Sequence, residues 1–262
     1  MTDGSQAHTG PLALAGKRTL ITGASRGIGA DLARAFAAAG SNLVLSGRDE
    51  ASLRDHASRL AQAHGTTVEV VPADLAQAGE PERLATQAWS VLDGLDVLVN
   101  NAGISHPELV VDLTAELFDD VLNVNLRAPA LLAARVGALM AAAGSGSVIT
   151  MASAAGLRPL AEHYGYCVSK AGLLMATKVL ALELGPYGVR ANSICPTVTL
   201  TDMGQKVWLD HPDKAAPMLD RIPLRRFAYP REVSEVAIWL ASDAASMING
   251  VELPVDGGYL VS

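Results

Sequence analysis

The chain has 262 residues, half of them hydrophobic and only 4% aromatic, and carries a net charge of −7. That length and apolar share suit one domain with a substantial core, and the acidic balance argues against nucleic acid as a partner. No apolar run reaches the roughly 18–20 residues of a membrane span. Cys167 and Cys195 form neither a metal-spaced pair nor a disulfide framework, so no metal site is expected. The first residues, Met1–Pro11, are polar and lack a signal peptide's apolar segment. Residues 1–14 therefore read as a flexible tail, residues 15–262 as the folded domain, and the cytoplasm as the compartment.

In chain order, short β-rich runs alternate with helical stretches. The expected strands are Arg18–Thr22, Asn42–Ser46, Thr67–Val71, Asp96–Val99, Ser147–Met151, Val189–Cys195 and Val251–Val255. Between them the periodicity predicts helices over Ile28–Ala39, Glu50–Ala63, Pro81–Leu92, Ala115–Ala142, His163–Leu184 and Pro230–Ala241. Repeated strand–helix–strand units imply right-handed crossovers and an α/β fold, a single-domain doubly wound parallel sheet of about seven strands flanked by helices. Several strands are apolar without alternation, as when helices cover both faces. The stretch from Pro196 to about Tyr229 breaks the rhythm. Irregular segments of that length are usually functional, and this one is placed as a lid, 196–229, over the carboxyl ends of the strands.

Two motifs carry chemistry. Thr22-Gly23-Ala24-Ser25-Arg26-Gly27-Ile28-Gly29 lies between a strand and an apolar helix. Glycines there permit a tight turn and close approach of the backbone to a pyrophosphate at a helix N-terminus. Tyr166 and Lys170 stand four apart on an expected helix, so they share a face, and an ammonium there would lower the tyrosine pKa toward neutrality. Ser153 lies thirteen residues before Tyr166. Taken singly, a serine closing a strand is a helix cap, Asn125 a polar residue inside a helix, and Tyr166 a core tyrosine. Together they form a dinucleotide-dependent site that moves hydride to or from a carbonyl.

Charge argues for the form of the dinucleotide. After the second strand an NAD enzyme typically places an acid for the adenosine ribose. Here Gly47 stands at that place, Arg48 follows, and Arg26 lies inside the glycine turn. Two guanidiniums suit a 2′-phosphate, so NADP is expected over NAD, although Asp49 blurs the pattern.

These residues resemble the short-chain dehydrogenase/reductase family from Lys17 to Ser262. The resemblance rests on the glycine turn, Asp74, Asn100-Asn101-Ala102-Gly103, Asn125, Ser153, Tyr166-x3-Lys170 and Val255-Asp256-Gly257-Gly258. The C-terminal half is most similar to the dicarbonyl/L-xylulose reductases, through Cys195-Pro196-Thr197-Val198, Met203-Gly204-Gln205, Trp208 and Arg221-Ile222-Pro223-Leu224. The resemblance implies Tyr166 as the general acid in reduction and Ser153 bonding the same oxygen. It implies Lys170 on the tyrosine and the nicotinamide ribose, and Asn125 holding a relay water. It also implies cofactor contacts from Gly23, Ser25, Arg26, Gly27, Ile28 and Gly29, and from Arg48. Asp74 and Leu75 would meet adenine, Asn101, Ala102 and Gly103 the ribose region, and Val198, Thr199 and Thr201 the cofactor from the lid.

Substrate contacts are placed on Ser153, on His163 one turn before Tyr166, and on Trp208, with Arg158, Glu162 and Cys195 as further lining. The expected reaction is NADP(H)-dependent reduction of a small dicarbonyl, ketose or the reverse oxidation of a polyol. The alternatives are a 3-oxoacyl-[acyl-carrier-protein] reductase, an NAD-dependent sugar or polyol dehydrogenase, and a catalytically dead nucleotide sensor. An acidic carrier protein favours a basic docking patch, and Leu131–Ala143 offers one arginine. A dead sensor would have lost Tyr166 or Lys170. The apolar helices over Ala115–Ala142 and His163–Leu184 carry more small apolar residues than one sheet face needs, and the resemblance implies that they pair in a homotetramer.

Overall fold

The structure, a computed structural model, describes residues 14–262. Seven strands, β1 (Arg18–Thr22), β2 (Asn42–Ser46), β3 (Val68–Val70), β4 (Val97–Asn100), β5 (Gly146–Met151), β6 (Val189–Pro196) and β7 (Glu252–Val255), form one sheet in the order β3-β2-β1-β4-β5-β6-β7. Every pairing is parallel. The helices are α1 (Gly27–Ala38), α2 (Glu50–His64), α3 (Glu80–Val91), α4 (Ala115–Leu122), α5 (Ala128–Ala143), α6 (Tyr164–Leu184), α7 (Asp202–Trp208), α8 (Pro212–Asp220) and α9 (Pro230–Ala241).

The unbroken apolar runs of the strands still alternate, because each face has its own core. Ile21, Leu43, Leu45, Val99 and Ile149 pack with α1, α2 and α9 through Leu32, Phe36, Leu53 and Ala237. Leu20, Val44, Leu98 and Val148 pack on the other face with Leu84 of α3, Leu132 and Val136 of α5 and Ala181 of α6. In register, Leu20 lies beside Val44 and Leu98, so like-facing side chains form continuous rows.

Two expected elements differ. The helix expected over Ala115–Ala142 is broken at Asn123–Arg127 by a single π-turn, which widens the helix where Asn125 points inward. The segment expected to be irregular between Pro196 and Tyr229 holds α7 and α8. The stretch Ala115–Ala143 is also long and apolar enough to cross a membrane by length and composition, with a mean hydropathy of 1.4 in its most apolar window, contrary to the sequence reading. Its Leu132, Val136 and Met140 are nonetheless buried against the sheet, and Asn125, a polar residue, is fully buried within it.

Residues 1–13 of the expected tail lie outside the described residues. Its last member, Leu14, is completely buried in the core of the α1 face, and its N–H bonds Ala39 O at 2.8 Å. The packed domain therefore includes Leu14. Leu14→Ala should cost about 2–5 kcal/mol of stability, as for other buried leucines. Chemical denaturation measures this, and a wild-type midpoint would show that residue 14 lies outside the core.

Candidate active site

The strand order reverses between β1 and β4, and a crevice opens outside the carboxyl ends of the strands at such a point. A cleft of roughly 570 Å³ lies there. Its floor is the turn after β1. Gly23 and Gly27 have φ of +66° and +59°, and a Cβ at Gly29 would stand 2.1 Å from Gly23 O. Only glycine fits at Gly29, so the backbone is left bare where a pyrophosphate would meet the first amides of α1. Among the expected cofactor residues, Gly23, Ser25, Arg26, Gly27, Ile28, Gly29, Arg48, Asp74, Leu75, Asn101, Ala102, Gly103 and Thr201 line this cleft. The cradle fits a dinucleotide.

Several of these side chains also have work inside the protein. The Asn101 amide donates to Thr22 O at 2.9 Å, tying the end of β4 to the end of β1; it is a clasp for the cradle as well as part of its wall. Asp74 accepts from Ala76 N at 3.2 Å, forming the turn after β3. Asp49, the acid that blurred the cofactor assignment, caps α2: its carboxylate accepts from Ser52 N at 3.0 Å and from the Ser52 hydroxyl at 2.6 Å. Those two bonds hold its pKa below the usual carboxylate value. Arg26 and Arg48 are exposed on the cleft wall, and among the described residues neither makes a salt bridge.

The catalytic set converges on the ends of β5 and α6. Ser153 follows β5, and its hydroxyl accepts from Ala155 N at 3.1 Å, so it does cap the short helical turn Ala154–Gly156. The same hydroxyl faces the Tyr166 phenol. Tyr166 and Lys170 share one face of α6, with the Lys170 Nζ 5.6 Å from the centre of the tyrosine ring. Lys170 is 4% exposed, and its ammonium donates to Met151 O at 2.8 Å. The expected lowering of the tyrosine pKa is not present. Burial pushes the phenol above its ordinary value, and the hydrogen bond to Ser153 only partly offsets this. The ammonium is committed to Met151 and is itself disfavoured by burial, which lowers its pKa to about 8.

Asn125 is brought to this centre by the π-turn. Its Oδ1 accepts from Ile104 N and its Nδ2 donates to Ile104 O, both at 2.8 Å, with a longer bond from Nδ2 to Ser169 Oγ. The amide that the resemblance gave to a relay water thus fastens the loop after β4. A Cβ on Gly103 would lie 3.3 Å from Asn125 Oδ1 and 3.6 Å from Lys170 Nζ, so loop, asparagine and lysine meet at one point.

Residues 23–260 match the model of a family described as enoyl-(acyl carrier protein) reductase. The chain is 42% identical to an L-xylulose reductase of Mesocricetus auratus, covering 96% of this chain and 99% of that one. It is 36% identical to an NAD-dependent glycerol dehydrogenase of Listeria innocua, covering 94% of each. A solved Beutenbergia cavernae structure, assigned as an NAD(P)-dependent gluconate 5-dehydrogenase with NADP bound at low occupancy, superposes with a TM-score of 0.90 at 35% identity, covering 97% of this chain and all of that one. The chain belongs to the short-chain dehydrogenase/reductase family.

As a short-chain dehydrogenase/reductase it is an oxidoreductase, and the remaining expected site residues can be placed. The His163 ring stands edge-on to Tyr166 with centres 6.2 Å apart. Its Nδ1 bonds Ala161 O at 2.8 Å; a carbonyl only accepts, so in the neutral ring Nδ1 carries the proton and Nε2 offers a lone pair. Thr201 caps α7 through Gly204 N and faces the glycine turn across the cleft, where a Cβ on Gly27 would be 3.4 Å from its methyl group. Val198 and Thr199 lie outside the cleft lining, Val198 packing with the segment's own apolar cluster. Trp208 packs on Phe227 with ring centres 5.4 Å apart.

Two of the expected lining residues have other surroundings. Cys195 is fully buried, and burial pushes its thiol up to about 12. Arg158 is bound to the C-terminal residues Tyr259 and Ser262. The sequence reading passed over Ile104, Asp120 and Val124, which also line the cleft; a period-based reading placed the last two inside a continuous helix.

The folded-state pKa of Lys170 lies below the ordinary lysine value of 10.5. Between about pH 8 and 10.5 the folded protein therefore binds fewer protons than the unfolded chain, and this group makes stability rise with pH across that window. Lys170→Met should remove that rise, stabilise the protein near pH 7 and lower kcat by about 10²–10⁴. Thermal unfolding at a series of pH values, alongside turnover, checks all three effects.

Proposed function

We propose that the protein is an NADP(H)-dependent reductase of small ketoses and dicarbonyls, reversible toward the polyol, acting in the cytoplasm as a homotetramer. One observation carries the cofactor choice. Two unpaired guanidiniums, Arg26 and Arg48, face a cleft in which Gly47 offers no acid and Asp49 is held by Ser52. A 2′-phosphate would meet positive charge there, and a ribose 2′-hydroxyl would find no free carboxylate at that place. Similarity to L-xylulose reductase supports the substrate class.

The glycine turn and Thr201 would hold the pyrophosphate, and Lys170, with donors beyond its bond to Met151, would hold the ribose hydroxyls. The bound nicotinamide supplies the hydride that the carbonyl carbon accepts. Tyr166 donates its proton to the carbonyl oxygen, and the raised phenol pKa keeps that proton in place throughout the neutral range. Ser153 hydrogen-bonds the same oxygen as negative charge develops on it. His163 Nε2 accepts from a substrate hydroxyl. Segment 196–229, whose Thr201 lines the cleft opposite the glycine turn, acts as the lid. The assembly is supported by an exposed apolar stripe along α6: Val168, Met175, Val179 and Leu182 are 38–78% exposed, more than a solitary chain commonly leaves in one stripe.

NADPH and NADH oxidation is to be followed with L-xylulose, diacetyl and an acetoacetyl thioester. NADPH-dependent turnover of the first two, reduced by about 10²–10⁴ in Tyr166→Phe, is expected; turnover of the thioester alone would move the enzyme to acyl chemistry. Arg48→Ala should raise the KM for NADPH about tenfold, in line with the loss of a charge-assisted bond, and leave that for NADH unchanged. Equal effects on both cofactors would remove the argument from charge. Reductive kcat/KM should fall as pH rises through about 8, where Lys170 loses its proton, while polyol oxidation, which needs Tyr166 as the base, should gain.

A further inference from the structure

The apolar residues of segment 196–229 do not join either core of the sheet. Leu200, Ala215, Ile222 and Phe227 form a separate cluster, and its other buried members are Ala154, beside the catalytic serine, and Tyr259. Tyr259 is 3% exposed. It sits in a segment built to stay put: the Asp256 carboxylate accepts from Gly258 N and Leu260 N, both at 2.9 Å. Gly257 lies against Ile222, where a Cβ would come within 2.8 Å of its methyl group, and Leu224 N bonds Gly257 O. Ser262 Oγ donates to Arg221 O at 2.6 Å, at the end of α8.

Arg158 closes this arrangement from the other side. It lies five residues after Ser153, and its own N–H bonds Ala154 O at 2.9 Å. One guanidinium nitrogen donates to Tyr259 O at 2.7 Å and to Ser262 O at 2.8 Å, while the guanidinium carbon lies 4.9 Å from the centre of the Tyr259 ring. Among the described residues no side-chain carboxylate pairs with it. Its charge is met by the main-chain oxygens of Tyr259 and Ser262 and by an aromatic face, an arrangement suited to a planar cation and poorly matched by an ammonium.

We propose that Arg158 and Tyr259 form a strut between the Ser153 loop and the lid, and that Arg158 is a positioning residue that sets the lid's place over the substrate. The strut touches neither the glycine turn nor Tyr166 and Lys170, so it bears on the substrate side alone. The proposal rests on reading segment 196–229 as the lid, and one readout is chosen to be independent of the substrate.

The test uses the full chain with Arg158→Met, Arg158→Lys and Tyr259→Phe. It follows trypsin cleavage at Lys206 in the lid without cofactor, NADPH affinity by fluorescence, and kcat and KM for L-xylulose. Arg158→Met should be cut about tenfold faster and raise KM about tenfold, with kcat and the NADPH dissociation constant within about twofold. Arg158→Lys should fall between Met and wild type, and Tyr259→Phe, which keeps ring and carbonyl, should match wild type. Unchanged cleavage and KM in a folded Arg158→Met protein would overturn the strut, as would NADPH affinity falling in step with KM. Should Arg158→Met not fold, wild-type cleavage of Arg158→Lys would overturn it equally. If the wild-type enzyme turns over no ketose, the substrate reading fails, and cleavage still decides the strut.

Discussion

A lysine ammonium held at 4% exposure is the constraint around which the active site is arranged. Burying a charge disfavours it, as the fall of the Lys170 pKa to about 8 records. What keeps the ammonium usable is position: it reaches past the end of β5 to Met151 O, where a parallel sheet leaves carbonyls without a further strand residue to serve. The helix that carries it must start close to that edge, so Tyr166, one turn earlier on α6, comes to Ser153 on the same edge. The π-turn at Asn125 and the bare backbone at Gly103 meet at the same place, where a Cβ on Gly103 would press on Asn125 Oδ1 beside the lysine.

Stability and chemistry are thus kept in different parts of one sheet. Both apolar cores, with Leu20, Leu98 and Val148 on one face and Ile21, Val99 and Ile149 on the other, are continuous. The carboxyl edge holds the buried charge, the positive-φ glycines Gly23 and Gly27, and the π-turn. The segment 196–229 packs its own small cluster, apart from either core of the sheet.

Much of this was legible in the sequence, because strands of a parallel sheet and glycine turns write themselves in local pattern. The runs Arg18–Thr22 and Asn42–Ser46 match the observed strands at both ends, and the expected cofactor residues of the glycine turn line the cleft. What was not legible depends on partners far along the chain. Nothing near Asn125 announces a π-turn, since the bonds that stabilise it reach back to Ile104. Arg158 reads as a pocket residue until Tyr259 and Ser262, about a hundred residues on, are seen to bind it. Helices α7 and α8 were hidden by Gly204, Pro212 and Pro217, which break the apolar period while their caps, Thr201 among them, still hold short turns. The direction of the Tyr166 shift was misjudged because spacing on a helix says that two groups share a face and says nothing of how deeply both are buried.

A local helix cap bears on the proposed cofactor preference. Asp49 stands three residues beyond the last residue of β2, near enough to the cleft to line it, and by sequence alone it could serve an adenosine ribose. A carboxylate at a helix N-cap is stabilised both by the amide it accepts from and by the helix dipole, and Ser52 adds a hydroxyl to the same group. To turn toward a ribose it would have to leave α2 uncapped, a loss of about 1 kcal/mol, and it would then lie beside Arg48, the next residue back. A 2′-phosphate asks for no such rearrangement, because the guanidiniums of Arg26 and Arg48 have no competing carboxylate bond among the described residues. Ser52, three residues into the next helix, therefore bears on the proposed cofactor preference as much as the arginines do.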